Sequence, residues 1–423
     1  MRLHLALPDT HGHRRLVSAL VIDALGTGMF LPFSILYFVE TTHLSLAEVG
    51  LAVSLASGLR LPLAAPLGAL TDRWGARRVL VAANVVQGLG FLAYLAVDPF
   101  WSLVAAAFVV QLGNSAFWAS YAPLITQVSG PGQRERWFGF VGAARNAGFG
   151  VGGLLAGTLV GAGGGRGYQL VVLVNALSFA VAAVLLMLDR TGPAPAVVTS
   201  GGRTRGAWRV VLSDRAFLGL TLSNAAFATC TLALNVVIPV YAVRQLGLPG
   251  WVPGAALTVN CVLVAAGQSA LVAAMTGHRR VRVLQAGAAS FALSSLVLWW
   301  AAVLPTWLAG PVVVAGVVVF TLGELAHSPV SSAVSGEAAP EHLRGRYLSV
   351  FQASWTLSST VGPALLLPLL ARGDGTVWLV LALTAGAAAT GTTAVARALP
   401  AARTRIGRVE PVGVAPVEPV AAA

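Results

Sequence analysis

The sequence predicts an all-α membrane protein whose twelve transmembrane helices form two pseudo-symmetric halves of six helices each. Three observations lead to this prediction. Hydrophobic residues make up 57% of the 423 residues and charged residues only 10%, which lies outside the range of soluble globular proteins. Twelve apolar stretches are long enough to cross a bilayer, which requires about twenty residues. The longest polar stretch follows the sixth of them and divides the chain into halves.

The elements follow in order from this hydropathy pattern. A polar N-terminal segment, 1–15, precedes an apolar stretch that is too long for a signal peptide, so the first span is retained. Residues 189–215 are rich in Gly, Pro, Thr and Arg and are predicted to be a linker, and 397–423 are predicted to be a disordered tail. The predicted spans are 16–39, 46–69, 79–97, 101–126, 138–160 and 169–188 in the first half (16–188), and 216–243, 252–275, 283–304, 306–333, 347–370 and 376–396 in the second (216–396).

The two halves show a weak internal repeat. A shift of 210 positions places Leu112 and Gly113 on Leu322 and Gly323, and it also aligns arginines of the following loop. Repeated halves joined by a central linker are typical of transporters in which one half rocks against the other.

The arginine distribution predicts the orientation of the chain. All 27 basic residues are Arg, and the net charge is +12. If the N-terminus is cytoplasmic, 22 of them fall on the cytoplasmic side, three on the outer side and two within spans. This bias places both termini in the cytoplasm by the positive-inside rule. The positive charge therefore indicates topology, and no nucleic-acid partner is predicted.

A charged motif interrupts the apolar sequence between spans 2 and 3. The stretch "GALTDRWGARRVL" matches the pattern G-x-x-x-D-R-x-G-x-R-R through Gly68, Asp72, Arg73, Gly75, Arg77 and Arg78. With twelve spans in a 6+6 division and this loop on the predicted cytoplasmic side, the chain resembles the major facilitator superfamily over essentially its whole length.

The motif predicts a gate. Gly75 permits a tight reversal between two helices, and the arginines hold the loop at the anionic inner leaflet. Asp72 can lie against the positive N-terminal end of a neighbouring helix. The resemblance implies that this neighbour is span 11, and that the contact closes the cytoplasmic side in the outward-facing state.

The family resemblance implies that spans 1, 4, 7 and 10 line a central cavity. Each of these spans carries polar or aromatic side chains at steps of three, four or seven residues, which place them on one helix face. Interhelical hydrogen bonding is the alternative explanation for any single Ser or Thr. The cavity candidates are Thr27, Ser34 and Tyr37; Gln111, Asn114, Trp118 and Tyr121; Asn224, Thr231 and Asn235; and Ser328 and Ser331.

Four charged residues are predicted deep within spans: Asp23, Arg60, Arg145 and Glu324. Such residues are costly in a membrane and indicate a function or a buried pair. Asp23 and Arg60 lie at similar depth on consecutive spans, which predicts an ion pair between them. Glu324 lies three residues before His327, on the same helix surface, with Arg145 available from the other half. Asp23, Glu324 and His327 are therefore the candidates for proton coupling, and a static ion pair is the alternative.

Within the superfamily, "GTGMFLP" after Asp23 and "LGELAHSP" around Glu324 are similar to the multidrug-efflux branch, in which drug export is exchanged for protons. The leading hypothesis is proton-coupled export of amphipathic or hydrophobic small molecules. Import of a small metabolite, and a receptor without transport activity, remain alternatives. The sequence contains no catalytic motif, so neither an enzyme activity nor a metal site or cofactor is predicted. The proton gradient is the predicted driving force.

The expected partners are a small-molecule substrate and the lipid bilayer, and the protein is expected to be a monomer. The absence of Lys and the abundance of Ala favour a GC-rich bacterial genome, and hence a multi-pass protein of a bacterial plasma membrane.

Overall fold

The structure, a computed structural model, describes residues 12–129, 134–189, 207–338, 343–393 and 405–406. Twelve long helical segments follow one another, six before and six after a short helix at Ala207–Ser213. They are α1 (Arg14–Thr41), α2 (Leu46–Leu59 and Ala64–Trp74), α3 (Ala76–Tyr94), α4 (Phe100–Val128), α5 (Arg134–Gly163), α6 (Gly165–Leu188), α7 (Arg215–Gln245), α8 (Trp251–Met275), α9 (Arg280–Ala301), α10 (Thr306–Ala338), α11 (Arg344–Ala371) and α12 (Thr376–Gly391).

Nine of these described helices are long and apolar enough to cross a membrane. The other three are α3, α5 and α12. Arginines in the first turn of α3, and charged residues together with many glycines in α5, lower the hydropathy of these two helices. The described part of α12 is only 16 residues long. Their packing inside the bundle is consistent with the predicted set of twelve spans.

Three described helices depart from regular α geometry. α1 contains a 3₁₀ turn, Leu31–Phe33, that includes Pro32. α2 is interrupted after Leu59 by a 3₁₀ turn, Leu61–Leu63, that contains Pro62. Proline lacks the N–H that a continuous helix needs, so the break at this position has a local cause. α7 contains two π-helical turns, Ala233–Val237 and Tyr241–Gln245, the second of which follows Pro239 closely. Such turns occur often at functional sites.

The halves pack against each other along two helix pairs, α2 with α11 and α5 with α8. Between α5 and α8 the contact is made by backbone, because Gly153 faces Gly254 and Gly157 faces Trp251. The Thr258 hydroxyl of α8 donates a hydrogen bond of 2.8 Å to the carbonyl of Gly150. Glycines allow two helices to approach this closely.

The contact between the halves is tight at one end of the bundle, here called the closed end. There Gly50 of α2 faces Pro363 and Leu367 of α11. An ion pair of 2.7 Å between Arg244 Nε and Glu40 Oε1 also joins the last turns of α7 and α1. The opposite end, which holds the motif between α2 and α3, is called the Asp72 end.

Two hydrophobic clusters reflect this difference. The larger cluster runs through both halves and includes Phe33 from α1 and Val237 from α7. The smaller cluster is built from the first half alone, at its Asp72 end, around Leu80, Leu124 and Trp137. The first half is thus fused to the second at the closed end and has a core of its own at the Asp72 end.

Parts of the predicted domain division lie outside the described residues: 1–11, most of the linker at 189–215, and nearly all of the tail at 397–423. Two tail residues, 405–406, lie within the described part of the chain, and the disorder of the tail stays a prediction. The backbone of Ile406 exchanges hydrogen bonds of 2.9 and 3.0 Å with Gly277 and His278 in the loop between α8 and α9. Such a loop has free backbone groups that an extended segment can pair with.

Candidate functional site

The best-defined polar contact in the middle of the first half is an ion pair. Arg145 Nη1 of α5 lies 2.7 Å from Asp23 Oδ2 of α1, and both side chains are buried. The pair can form because Gly148 and Gly152 of α5 bring its backbone against α1. A buried ion pair needs such close geometry to offset the loss of hydration.

The predicted pair between Asp23 and Arg60 is therefore wrong. Similar depth on consecutive spans does not imply a shared face. The main neighbours of α1 are α5 and α6, and Arg60 lies on the side of α2 that faces α4 and α11.

Four aromatic rings surround the Arg145 guanidinium. Its central carbon is 4.7 Å from the ring centroid of Phe117, 5.4 Å from Phe149, 5.5 Å from Trp118 and 5.7 Å from Tyr121. These distances are in the range of cation–π attraction. Trp118 is 54% exposed, so it forms the outer wall of this arrangement, here called the Arg145 cage.

Arg60 lies at the break in α2 and connects the two halves. Its Nη1 donates to Ser115 Oγ of α4 at 3.4 Å, and its Nη2 donates to Ser359 Oγ of α11 at 3.1 Å. Its Nε is shielded from solvent and has no hydrogen-bond partner among the described residues.

In the second half, Glu324 of α10 contacts an amide and not a cation. Its Oε2 accepts a hydrogen bond of 2.8 Å from Asn260 Nδ2 of α8, which also lies 3.0 Å from the hydroxyl of Thr321. His327 is buried and stacks on Phe227, with ring centroids 4.0 Å apart. The expected proximity of Glu324 to His327 and Arg145 thus yields no ion pair among the described residues: His327 turns towards α7, and Arg145 is bound to Asp23.

Several cavity candidates serve helix packing instead. Tyr37 is buried and donates to the carbonyl of Tyr94 at 2.8 Å. Asn224 of α7 is buried too, and it accepts from Ser331 at 2.7 Å and donates to Ser354 at 2.6 Å. In this conformation these side chains hold helices together, as the interhelical alternative predicts, and do not face a cavity.

The remaining candidates are more varied. Gln111 donates to Ser57 of α2 at 3.0 Å, whereas Ser34 and Thr231 bond to carbonyls of their own helices. Asn235 has a buried side-chain oxygen without a partner in the described part of the chain. The partly or fully exposed candidates whose side chains make no hydrogen bond to a described residue, and for which a cavity role stays a prediction, are Thr27, Asn114, Asn235, Trp118 and Ser328.

The motif at the Asp72 end adopts the expected turn. Gly75 has φ 85°, a conformation that glycine tolerates, and it connects α2 to α3 directly. Arg77 Nε donates to the carbonyl of Leu186 at 2.8 Å, at the C-terminal end of α6, where helix carbonyls lack partners. Asp72 is exposed and has no hydrogen bond or ion pair with a described residue, so the predicted contact with α11 is not made in this conformation.

Sequence reasoning missed five residues of these sites: Ser115, Phe117, Phe149, Asn260 and Ser359. A signal existed for Asn260, which is an amide in the middle of an apolar span, but span 8 was not among the expected cavity helices. The two phenylalanines and two serines look like ordinary residues of membrane helices.

Comparison with known proteins decides the family. Residues 16–363 match the model of the Major Facilitator Superfamily. The chain belongs to this superfamily. It is 24% identical over 348 residues to the multidrug resistance protein MdtH of Photorhabdus laumondii, which covers 81% of this chain and 82% of the relative. MdtH of Salmonella typhimurium is 23% identical over 352 residues, with the same coverage of 81% and 82%.

Solved structures show the same fold. A bacterial homolog of the human lysosomal transporter Spinster, in an inward-facing and unoccupied conformation, matches with a TM-score of 0.73 at 14% identity, over 94% of this chain and 98% of the other. The nucleoside transporter NupG matches with a TM-score of 0.68 at 14% identity, over 90% and 98% of the two chains. The protein is therefore a multi-pass membrane protein of a transporter family and not of an enzyme family.

Proposed function

We propose that the protein is a secondary active transporter that exports amphipathic or hydrophobic small molecules in exchange for protons. The observation that carries this proposal is the separation of the first half's core at the Asp72 end from the cluster that fuses both halves at the closed end. A bundle with one end where the halves are fused and one end where the first half has a core of its own is suited to alternating access. Export is favoured by the relatives that are named multidrug resistance proteins.

In the proposed orientation, the protein lies in a bacterial inner membrane with the Asp72 end and both termini on the cytoplasmic side. The arginine bias supports this orientation. The conformation is then inward-facing, with Asp72 released from α11. The proposed gate contact forms when the halves rock to the outward-facing state.

Glu324 is the proposed proton carrier. Its partner Asn260 has both a donor and an acceptor, so it can bond Glu324 with or without a proton. Protonation of Asp23 would instead break an ion pair that is already formed. Binding and release of a proton therefore requires less rearrangement of hydrogen bonds and ion pairs at Glu324 than at Asp23.

A susceptibility screen tests the function. Expression of the chain in an efflux-deficient bacterial host is expected to raise the inhibitory concentrations of some amphipathic compounds. The Glu324→Gln variant is expected to lose this effect, and Asp98→Asn, which neutralises an exposed acid in a loop of the closed end, is expected to keep it. Uptake driven by a proton gradient in proteoliposomes, with no export, would favour the importer instead.

A further inference from the structure

Arg60 differs from three other arginines that join helices in the described part of the chain. Arg145, Arg244 and Arg280 each pair with a carboxylate at 2.7–2.8 Å. Arg60 contacts two serine hydroxyls, and no described carboxylate forms an ion pair with it. A guanidinium in the middle of a membrane protein needs a counter-charge. The described chain does not supply one.

The hydrogen-bonding capacity of this site is also unused. A guanidinium has five N–H donors in a planar fork that matches a carboxylate. Two contacts to Ser115 and Ser359 leave three N–H groups, including the buried Nε, without a partner among the described residues. The Ser115 hydroxyl likewise donates to no described group. Because unpaired buried donors are costly, an arriving acceptor is favoured.

The position of Arg60 makes the site accessible to a ligand and places that ligand between the two halves. The side chain is partly exposed, at the point where Pro62 breaks α2. Ser115 belongs to the first half and Ser359 to the second, so a ligand at Arg60 contacts both halves. Binding can then bias the equilibrium between the two states of the transporter.

An apolar surface lies beside the charged one. Trp118 follows Ser115 by one turn on α4, on the same helix face, and is 54% exposed. A ligand with an acidic head at Arg60 can therefore lay an aromatic or aliphatic body on the Trp118 ring.

We infer that Arg60, Ser115 and Ser359 form a binding site for the carboxylate of an amphipathic organic acid. This inference rests on the proposed function and narrows it, since it makes acids the preferred substrate class.

Thermal unfolding of the purified protein tests the site with benzoate as probe. Titration with sodium benzoate is expected to raise the unfolding temperature of the wild type, because a ligand that binds the folded state stabilises it. Arg60→Gln is expected to weaken the apparent affinity about tenfold or more. Arg60→Lys keeps the charge without the fork and should fall between. Arg166→Gln, at an exposed arginine in the first turn of α6, is the matched control and should respond like the wild type.

Other probes identify which chemical group of the ligand the site recognises. Benzyl alcohol and benzylammonium share the ring of benzoate and are expected to stabilise the protein less; equal stabilisation by either would overturn the inference. Stabilisation by sodium chloride, with no added effect of benzoate, would also overturn it, since the site would then hold an inorganic anion. If Arg60→Gln does not fold, Ser359→Ala replaces it and is expected to weaken benzoate binding severalfold; unchanged affinity would contradict the site.

The result is separable from that of the proposed function. Binding of benzoate that depends on Arg60, in a protein that transports nothing in proteoliposomes, would keep the site and reject the transporter. Transport of neutral and cationic compounds alone, without a benzoate response, would keep the transporter and reject the site.

Discussion

Asp23 in α1 and Glu324 in α10 are both acids in the middle of the bundle, one in each half, but their surroundings differ. Asp23 forms an ion pair with Arg145 inside a cage of four aromatic rings. Glu324 has a neutral amide partner, Asn260. A pair enclosed in this way holds two helices together, whereas an acid beside an amide can gain or lose a proton without losing its partner. The two halves repeat in sequence, but the buried acid of each half has a different kind of partner.

The largest effect is expected from removing half of the enclosed pair. Arg145→Ala leaves a buried carboxylate without a counter-charge and should lower the free energy of unfolding by about 3–5 kcal/mol. The double variant Arg145→Leu with Asp23→Asn should recover most of this loss, because no charge remains buried. Unfolding of both variants in detergent measures the difference. A loss in the double variant as large as that of Arg145→Ala would show that the two side chains do not act as a pair.

Glu324→Gln should give the opposite profile, with a large loss of function and little loss of stability. A glutamine can still accept the hydrogen bond from Asn260, so the fold is preserved, but it carries no proton. Substrate flux in proteoliposomes with and without an imposed pH gradient measures coupling. We expect uphill transport to be abolished while substrate binding is kept. If the variant still concentrates substrate, the coupling site lies elsewhere and Asp23 becomes the candidate.

Asp72→Asn extends the comparison to an acid that is exposed in this conformation. Its stability and expression should match the wild type, because Asp72 has no partner here among the described residues. Transport should fall severely, because the proposed contact with α11 in the outward-facing state is lost. Flux through the purified variant, beside Asp98→Asn as control, tests the gate. Wild-type flux in Asp72→Asn would reject it.

The smallest effect is expected at the ion pair between Glu40 and Arg244. Its distance, 2.7 Å, equals that of the enclosed pair, but its side chains are 34% and 45% exposed. Water screens such a pair, so Arg244→Ala should cost only about 0.2–1 kcal/mol of stability. The same unfolding assay as for Arg145→Ala gives a direct comparison. A loss as large as that of Arg145→Ala would show that burial is not what distinguishes the two pairs.

The sequence was sufficient for the helices and for the turn at Gly75, because both follow from local properties. A run of about twenty apolar residues forms a spanning helix whatever its neighbours are, and a motif glycine between two helices marks the reversal. The partner of Asp23 could not be predicted in the same way. Depth can be counted along a helix, but the face that a residue presents depends on which helices pack beside it. The contacts of Asn260 with Glu324 and of Ser359 with Arg60 could be assigned only when α8 and α11 were placed against the other helices.

The backbone contact between Gly153 of α5 and Gly254 of α8 has a consequence for the speed of the proposed transport cycle. Helices with large side chains interlock, and one must lift out of the grooves of the other before it can turn. Here the glycine backbones of the two helices meet, so interlocking side chains do not oppose a rotation about this contact. In the proposed rocking motion, the hydrogen bonds that Arg60 and Ser54 make across the α2–α11 contact must break, as must the bond from Thr258 to Gly150 across the α5–α8 contact. We expect the α5–α8 contact, where backbone meets backbone, to act as the pivot of this proposed motion, and the α2–α11 contact to limit its rate.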